Sequence, residues 1–338
     1  MKTSLNRHIK LLAAVLIIAI ISASCEKIGI RGRIAFSVKD VATKSTAVTS
    51  GNIGAVYGQF TTDVWVTEDG DDRAEAAAFN QPPHFIETAT VSYDADATPY
   101  KWSLNEEKYL LNNVGLCFWS WAPVVESGRS IGNATSQESG TLPFSYTLPS
   151  PNGTSDAASQ KDLLFAFNYE KRTGATLENA VDITFYHALA MVNFIVDTED
   201  GTFNNNYRIS NISIKNIYSS ADCTFRPSEA SASAKFQWAG HSGISSYGQN
   251  YNAATWKDEI HDQAFMIIPQ TTPGEAQLEV TFITAGGASL TRTVAFNGEE
   301  WKAGKYFKYK VKATSLDDKI SFDCIVNDWA NDGEILLE

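Results

Sequence analysis

The chain has 338 residues and a mass of 37.0 kDa, with 43% hydrophobic and 20% charged residues. That ordinary globular balance excludes a disordered or collagen-like chain. Lys2, Arg7 and Lys10 fall in an N-terminal leader, so the remainder sets 24 cations against 39 anions, a net charge of −15 where the whole chain carries −12. Such a charge repels nucleic acid and anionic lipid, and no nucleic-acid partner is expected. Four cysteines, no two at metal-ligand spacing, exclude a disulfide scaffold and a structural zinc site.

The leader has a cationic start, an unbroken apolar run of 11 residues from Leu11 to Ile21, and Ser22-Ala23-Ser24 directly before Cys25. This is the pattern of a secretory signal peptide over residues 1–24. A spanning helix needs about 20 apolar residues, so the run is too short to be an anchor. Small residues before a cysteine resemble a bacterial lipobox, in which the signal is cut ahead of the cysteine and its sulfur receives a diacylglycerol. Cys25 is thus the expected lipidation site, and palmitate-type chains would tether it to the outer membrane, since several chains hold firmly where one does not. Ser22 stands where a lipobox usually has Leu, which leaves ordinary cleavage with a free Cys25 open.

Taking the 24-residue leader from 338 leaves 314, enough for two domains of roughly 150 residues each. From Arg33 onward the chain reads as short β-type runs divided by Gly, Pro, Asn, Asp and Ser, with hardly a window of helical period. In order these are Arg33-Ile-Ala-Phe-Ser-Val38, Gly115-Leu-Cys-Phe-Trp-Ser-Trp121, Val181-Asp-Ile-Thr-Phe-Tyr186 and Ala190-Met-Val-Asn-Phe-Ile-Val196. Further strands are predicted at 208–218, 277–283 and 320–326. Several alternate apolar and polar residues, which puts one face on a core and the other in water, as an antiparallel sandwich requires. The polar stretch from Glu170 to Glu178 is the best linker, and a boundary near residue 175 gives modules at 25–175 and 176–338.

The side chains that could carry chemistry are few. Gly128-Arg-Ser-Ile-Gly132 fits the serine nucleophile elbow, but a loop composition follows where the elbow needs a helix, so Ser130 is read as a chance match. His8, His84, His187, His241 and His261 include no i,i+2 or i,i+4 pair, so no metal site is expected. His187, between two apolar runs, reads as a hydrogen-bonded structural residue. The acidic cluster Glu68, Asp69, Asp71 and Asp72 lacks the EF-hand ladder and reads as a solvated loop. No phosphate-cradling or dinucleotide motif is present, and neither a cofactor nor an enzymatic activity is expected. The 8 Trp, 13 Tyr and 18 Phe fit a β-sandwich core better than a sugar platform. The rival reading is a non-polymerising surface lipoprotein that binds glycans through exposed aromatics such as Trp65, Trp238 or Trp256.

Taken in order, these segments resemble the fimbrillin family, subunits of type V pili. The resemblance runs from the leader and residues 33–38 through Tyr100-Lys-Trp102, Phe118-Trp-Ser-Trp-Ala-Pro123 and Gln160-Lys-Asp-Leu-Leu164. It continues with Phe185-Tyr-His-Ala-Leu-Ala-Met-Val192, Phe265-Met-Ile-Ile-Pro269, Trp301-Lys-Ala-Gly-Lys-Tyr-Phe-Lys-Tyr309 and Val326-Asn-Asp-Trp329. It implies an all-β chain of two transthyretin-like β-sandwich domains in tandem. It also implies export as a lipoprotein, removal of the N-terminal strand by a trypsin- or Arg-type protease, and filling of the vacated groove by a neighbour's strand. Arg31, Arg33 and Arg73 are the candidate cuts, and Gly333-Glu-Ile-Leu-Leu-Glu338 is a candidate donor. Partners would be other pilus subunits, the processing protease, and a host or bacterial surface receptor. Without a cut the chain would keep its lipid and serve as the membrane-held base.

Overall fold

A computed structural model describes residues 34–40, 53–67, 85–98, 100–106, 108, 115–132, 140–149, 160–171, 180–197, 207–250, 264–284, 286–313 and 320–328. Within these the chain is nearly all β, with several sheets, as expected.

The first sheet is built around an apolar run. Strands β1 (Ala35–Asp40), β2 (Gln59–Thr67), β3 (Ile86–Tyr93), β4 (Trp102–Leu104), β5 (Gly115–Ala122), β8 (Leu164–Lys171), β9 (Val181–Thr184) and β10 (Tyr186–His187) form one sheet of eight. Its order is β10-β8-β5-β2-β3-β4-β1-β9. β2, β3 and β4 lie between β1 and β5, yet the rings of Phe36 and Phe118 are 5.8 Å apart. The sheet therefore curls over on itself. Inside the curl sit Phe36, Phe60, Val64, Val91, Leu104, Phe118, Ile183 and Phe185. A one-turn helix α1 (Ile53–Val56) closes one end with Ile53.

The second core lies on the opposite face of the same strands. β5 buries all eight of its residues. Leu116, Phe118 and Ala122 belong to the core inside the curl, while Cys117, Trp119 and Trp121 belong to the other core. The period-two projection of strand side chains makes this division automatic. The sequence reading put one face of such strands in water, and β5 departs from it because a second sheet covers its outer face. Its one small polar residue is satisfied: Ser120 Oγ donates to Thr62 Oγ1 at 3.0 Å, and Thr62 Oγ1 donates to the Trp119 carbonyl at 3.3 Å.

The covering sheet contains β6 (Arg129–Ile131), β7 (Leu142–Thr147), β12 (Tyr207–Phe225), β13 (Phe236–Asn250), β16 (Gln277–Thr284) and β17 (Ser289–Ala295). At about 3.3 Å per residue the 19 residues of β12 reach on the order of 60 Å. One of its edges pairs with β16 along residues 207–215 and with β7 along 220–225, and the other pairs with β13. A sheet of four, β14 (Phe265–Ile267), β11 (Ala190–Asp197), β19 (Lys305–Ala313) and β20 (Ile320–Asp328), packs on the same core, joined by a short ladder of β15 (Gln270–Thr271) with β18 (Glu300–Trp301). A second short helix, α2 (Ala232–Lys235), starts at Ser231, whose Oγ accepts the Ala234 amide at 3.1 Å.

Residue 175 lies outside the described residues. Beyond it, β9 and β10 pair with β1 and β8, and before it, β6 and β7 belong to the sheet of β12. Aromatic contacts tie the same seam: Trp119 meets Phe167 at 4.6 Å and Phe225 at 6.0 Å, and Phe144 stacks on Phe165 at 4.3 Å.

Replacing fully buried Trp119 by Ala opens a cavity between two sheets and is expected to cost about 3–5 kcal/mol. Urea unfolding of Trp119→Ala checks this, and a midpoint equal to that of the parent would contradict the shared wall.

Candidate strand-exchange site at the first strand

β1 is the first described strand, and its sequence Ala-Phe-Ser-Val-Lys-Asp alternates. Ile34, just ahead of it, and Phe36 are buried, and Val38 packs half-buried on the same core. Phe36 fills a socket made by Phe60 at 5.5 Å and Phe118 at 5.8 Å, both edge-on. Side chains at i, i+2 and i+4 thus anchor the strand, an arrangement any peptide with that apolar spacing could reproduce.

Its backbone is held between two others. β4 pairs antiparallel at Ala35↔Ser103 and Phe36↔Trp102 only. β9 pairs parallel from Phe36↔Val181 to Asp40↔Thr184, with a register shift between Val38 and Asp40. The Ile34 amide adds a bond to the Lys108 carbonyl at 2.9 Å. By contrast, β5 is matched to β8 at eight positions and to β2 at seven. Parallel pairing is slightly weaker per residue than antiparallel pairing, so β1 is both short and lightly tied. Its departure would leave β4 and β9 with unpaired amides and carbonyls facing a slot with an apolar floor, which is costly unless another strand enters.

The other sequence-predicted residues fall as follows. Cys25, Arg31, Arg33 and Arg73 lie outside the described residues, as do the acidic cluster at 68–72, Trp256 and the segment Gly333–Glu338. Arg31 and Arg33 precede β1 in the chain, and Arg73 follows β2. Between β1 and α1, residues 41–52 contain a single basic residue, Lys44, and no arginine. That interval was legible only once the end of β1 and the start of the next element were known. β20 lies at an edge, antiparallel to β19 over nine pairs.

Ser130 sits inside strand β6 opposite Ser145, exposed, rather than on a strand-to-helix turn. Trp65 is buried, and Trp238 is half-buried. Burial raises the Cys223 thiol, and burial lifts the Cys324 thiol to about 11, so neither is an activated nucleophile.

His187 belongs to a buried polar knot that the sequence did not reveal. Its Nδ1 lies 2.5 Å from Asp162 Oδ2, with both side chains 4% exposed or less. The Tyr57 hydroxyl donates to the Asp162 carbonyl at 2.7 Å, and the Gln160 side chain accepts the Met266 amide at 2.9 Å. Burial and then the Asp162 charge hold Tyr57 well above its ordinary range. Beside them Glu126, 4% exposed, lies 3.6 Å from Lys161 Nζ. Burial raises the Glu126 carboxyl despite the opposing charges of Lys161 and Arg129. These bonds fix the entry to β8 and the exit from β10, at the seam between sheets. Among the described residues no group of three or more His, Cys, Asp or Glu is placed to hold a metal.

Because the folded chain holds the Glu126 proton more tightly than the unfolded chain, ionisation there costs stability. The cost is absent below the ordinary glutamate value of about 4.3 and complete above the raised one. Glu126→Gln should therefore unfold at higher urea than the parent at pH 7, with the advantage shrinking at pH 4. The opposite trend would mean that pairing with Lys161 outweighs burial.

The chain resembles known structures over most of its length. A fimbrial protein from Bacteroides vulgatus superposes with a TM-score of 0.55 at 15% identity, covering 88% of this chain and 100% of that one. Candidate cell-adhesion proteins from Bacteroides ovatus and Bacteroides uniformis superpose at 0.52 each, with 16% and 13% identity. Both cover 88% of this chain, and the alignments take in 95% and 100% of the respective partners. At such identities the likeness is one of fold. No curated protein matches by sequence. The model of the fimbrillin-like family matches residues 37–329, from within β1 to just past β20, and the chain belongs to that family.

Proposed function

We propose that this chain is a structural subunit of a cell-surface fimbria, exported as a lipoprotein through Cys25 and joined to its neighbours by strand exchange at the β1 slot. The observation that carries the reading is the position of β1: a short strand, anchored by Ile34, Phe36 and Val38, lying between β4 and β9 rather than outside them. The fimbrillin-like family supports the surface location and the adhesive role, and the names of the fold neighbours agree with them.

Release of β1 needs a cut after Asp40 and before Ile53. Cutting at Arg31 or Arg33 leaves β1 attached, and cutting at Arg73 removes β2 as well, which carries Phe60, Val64 and Trp65 into two cores. Lys44 is therefore the preferred site and a trypsin-type enzyme the preferred protease. Once β1 has gone, the neighbour's strand restores the lost hydrogen bonds and the Phe36 socket. Each fully buried side chain regained contributes about 1.5–3 kcal/mol. The contact joins unlike surfaces, so it propagates into a fibre.

The absence of arginine from 41–52 favours a second reading. A cell supplying only an arginine-specific protease would leave β1 in place, and where Arg31 and Arg33 also escape cleavage the lipid stays too and the chain would be the base of the fibre. N-terminal analysis of the surface protein separates the two: Ser45 for the polymerising subunit, acylated Cys25 for the base.

Limited trypsin treatment of the precursor should yield denaturation-resistant ladders on gels, and Lys44→Gln should remain monomeric under the same treatment. A parent chain cut between β1 and α1 that stays monomeric, alone and with partner subunits, would overturn strand exchange.

A further inference from the structure

A cleft of about 390 Å³ lies between the start of β13 and the β15–β18 ladder, far in sequence from β1. This is within the range of small-molecule sites, roughly 300–1,000 Å³. Its aromatic wall is Phe236 and Trp238, two residues apart on β13 and so on the same face of the strand. Phe236 is buried, while Trp238 is half-buried and lines the cleft.

The indole is fixed in place. Its Nε1–H donates to the Ala188 carbonyl at 3.0 Å, and its ring stands edge-on to Phe144 at 5.3 Å with an interplanar angle of 85°. The far wall is equally preset: His241 Nε2 lies 2.7 Å from the Pro269 carbonyl, so β13 and the lead into β15 are bridged across the cleft. A rigid aromatic plate in a preformed hollow binds without a large ordering cost.

The rim is polar and balanced. Glu300 and Lys302 form an ion pair at 3.1 Å with side chains 61% and 50% exposed, and Thr271 adds an exposed hydroxyl. A carboxylate only accepts hydrogen bonds, an ammonium only donates them, and a hydroxyl does both. A ring with an apolar face and several hydroxyls on its edge matches such a set, with its C–H face on Trp238 and its hydroxyls on Glu300, Lys302 and Thr271. An apolar ligand would make no use of the rim's donors and acceptors. An anionic one would face a chain of net charge −12 before leader removal, and one cation already paired.

We propose that this cleft is a carbohydrate-binding site for a neutral oligosaccharide, with Trp238 as the stacking platform. It gives the adhesive role a ligand class and works on the unprocessed monomer, so it does not depend on strand exchange.

The test is an array of neutral and sialylated oligosaccharides probed with the intact unprocessed chain, followed by titration of the hits. Neutral glycans should bind, and Glu300→Gln should weaken them about tenfold while leaving the urea midpoint unchanged. Trp238→Ala should abolish binding. Because Trp238 also packs on the core, Trp238→Phe is measured beside it and should retain the fold with weakened binding. No bound glycan, binding only to sialylated glycans, or equal binding by Glu300→Gln and Trp238→Phe would each overturn the proposal. The same variants carried through trypsin treatment report on the fibre separately: ladders without glycan binding remove the cleft alone.

Discussion

A β-strand that is buried on both faces cannot tolerate water on either side, and β5 imposes that constraint on the whole molecule. Gly-Leu-Cys-Phe-Trp-Ser-Trp-Ala sends Leu116 and Phe118 one way and Cys117, Trp119 and Trp121 the other. The first sheet must therefore curl until β1 and β9 roof the inner face, and the β7–β12 sheet must cover the outer face. With Trp119 against Phe225 and Phe144 against Phe165, the β7–β12 sheet becomes a lid for the first sheet. The buried pair His187–Asp162 ties β10 to the lead into β8, and the Met266 amide, from the sheet of four, donates to the Gln160 side chain beside it.

Stability is consequently uneven along the first sheet. β5 is bound to both neighbours over nearly its whole length and carries two cores, so it opens only when the molecule unfolds. β1 contributes side chains to one core, matches β4 at two positions and β9 at four, and has nothing in the other core. A strand can be exchanged only where it is held this way: tightly enough to keep the precursor closed, and independently enough that its loss leaves the walls standing. The fibre chemistry proposed for this protein is a consequence of that division of labour.

Much of this was legible in the sequence because strand periodicity is local. The strands predicted at 115–121, 190–196 and 277–283 appear as β5 (Gly115–Ala122), β11 (Ala190–Asp197) and β16 (Gln277–Thr284). The run at 181–186 is broken at Phe185 into β9 and β10, where the side chain turns into the first core. The strand at 208–218 extends to Phe225, because bulges near Asn216 and Ser220 let β12 pass polar residues and still pair with β7. What stayed hidden is non-local. Periodicity does not tell which sheet a strand joins, so β9 and β10 pairing back with β1 and β8 was invisible. The polar stretch at 170–178, expected to be the linker, lies largely outside the described residues. Asp162 gave no signal as the partner of His187, 25 residues away, since hydrogen-bond geometry across sheets leaves no trace in spacing. The proposed cut at Lys44 was hidden likewise, since Arg31, Arg33 and Arg73 stand out in the sequence while Lys44 draws notice only from the positions of β1 and α1.

The most direct test of the account is a cryo-electron microscopy reconstruction of fibres formed by this protein, read at the slot between β4 and β9. The account predicts that the strand in that slot belongs to the adjacent subunit, with an apolar side chain in the socket of Phe60 and Phe118. Finding each subunit's own residues 35–40 still in place throughout the fibre shaft would contradict it.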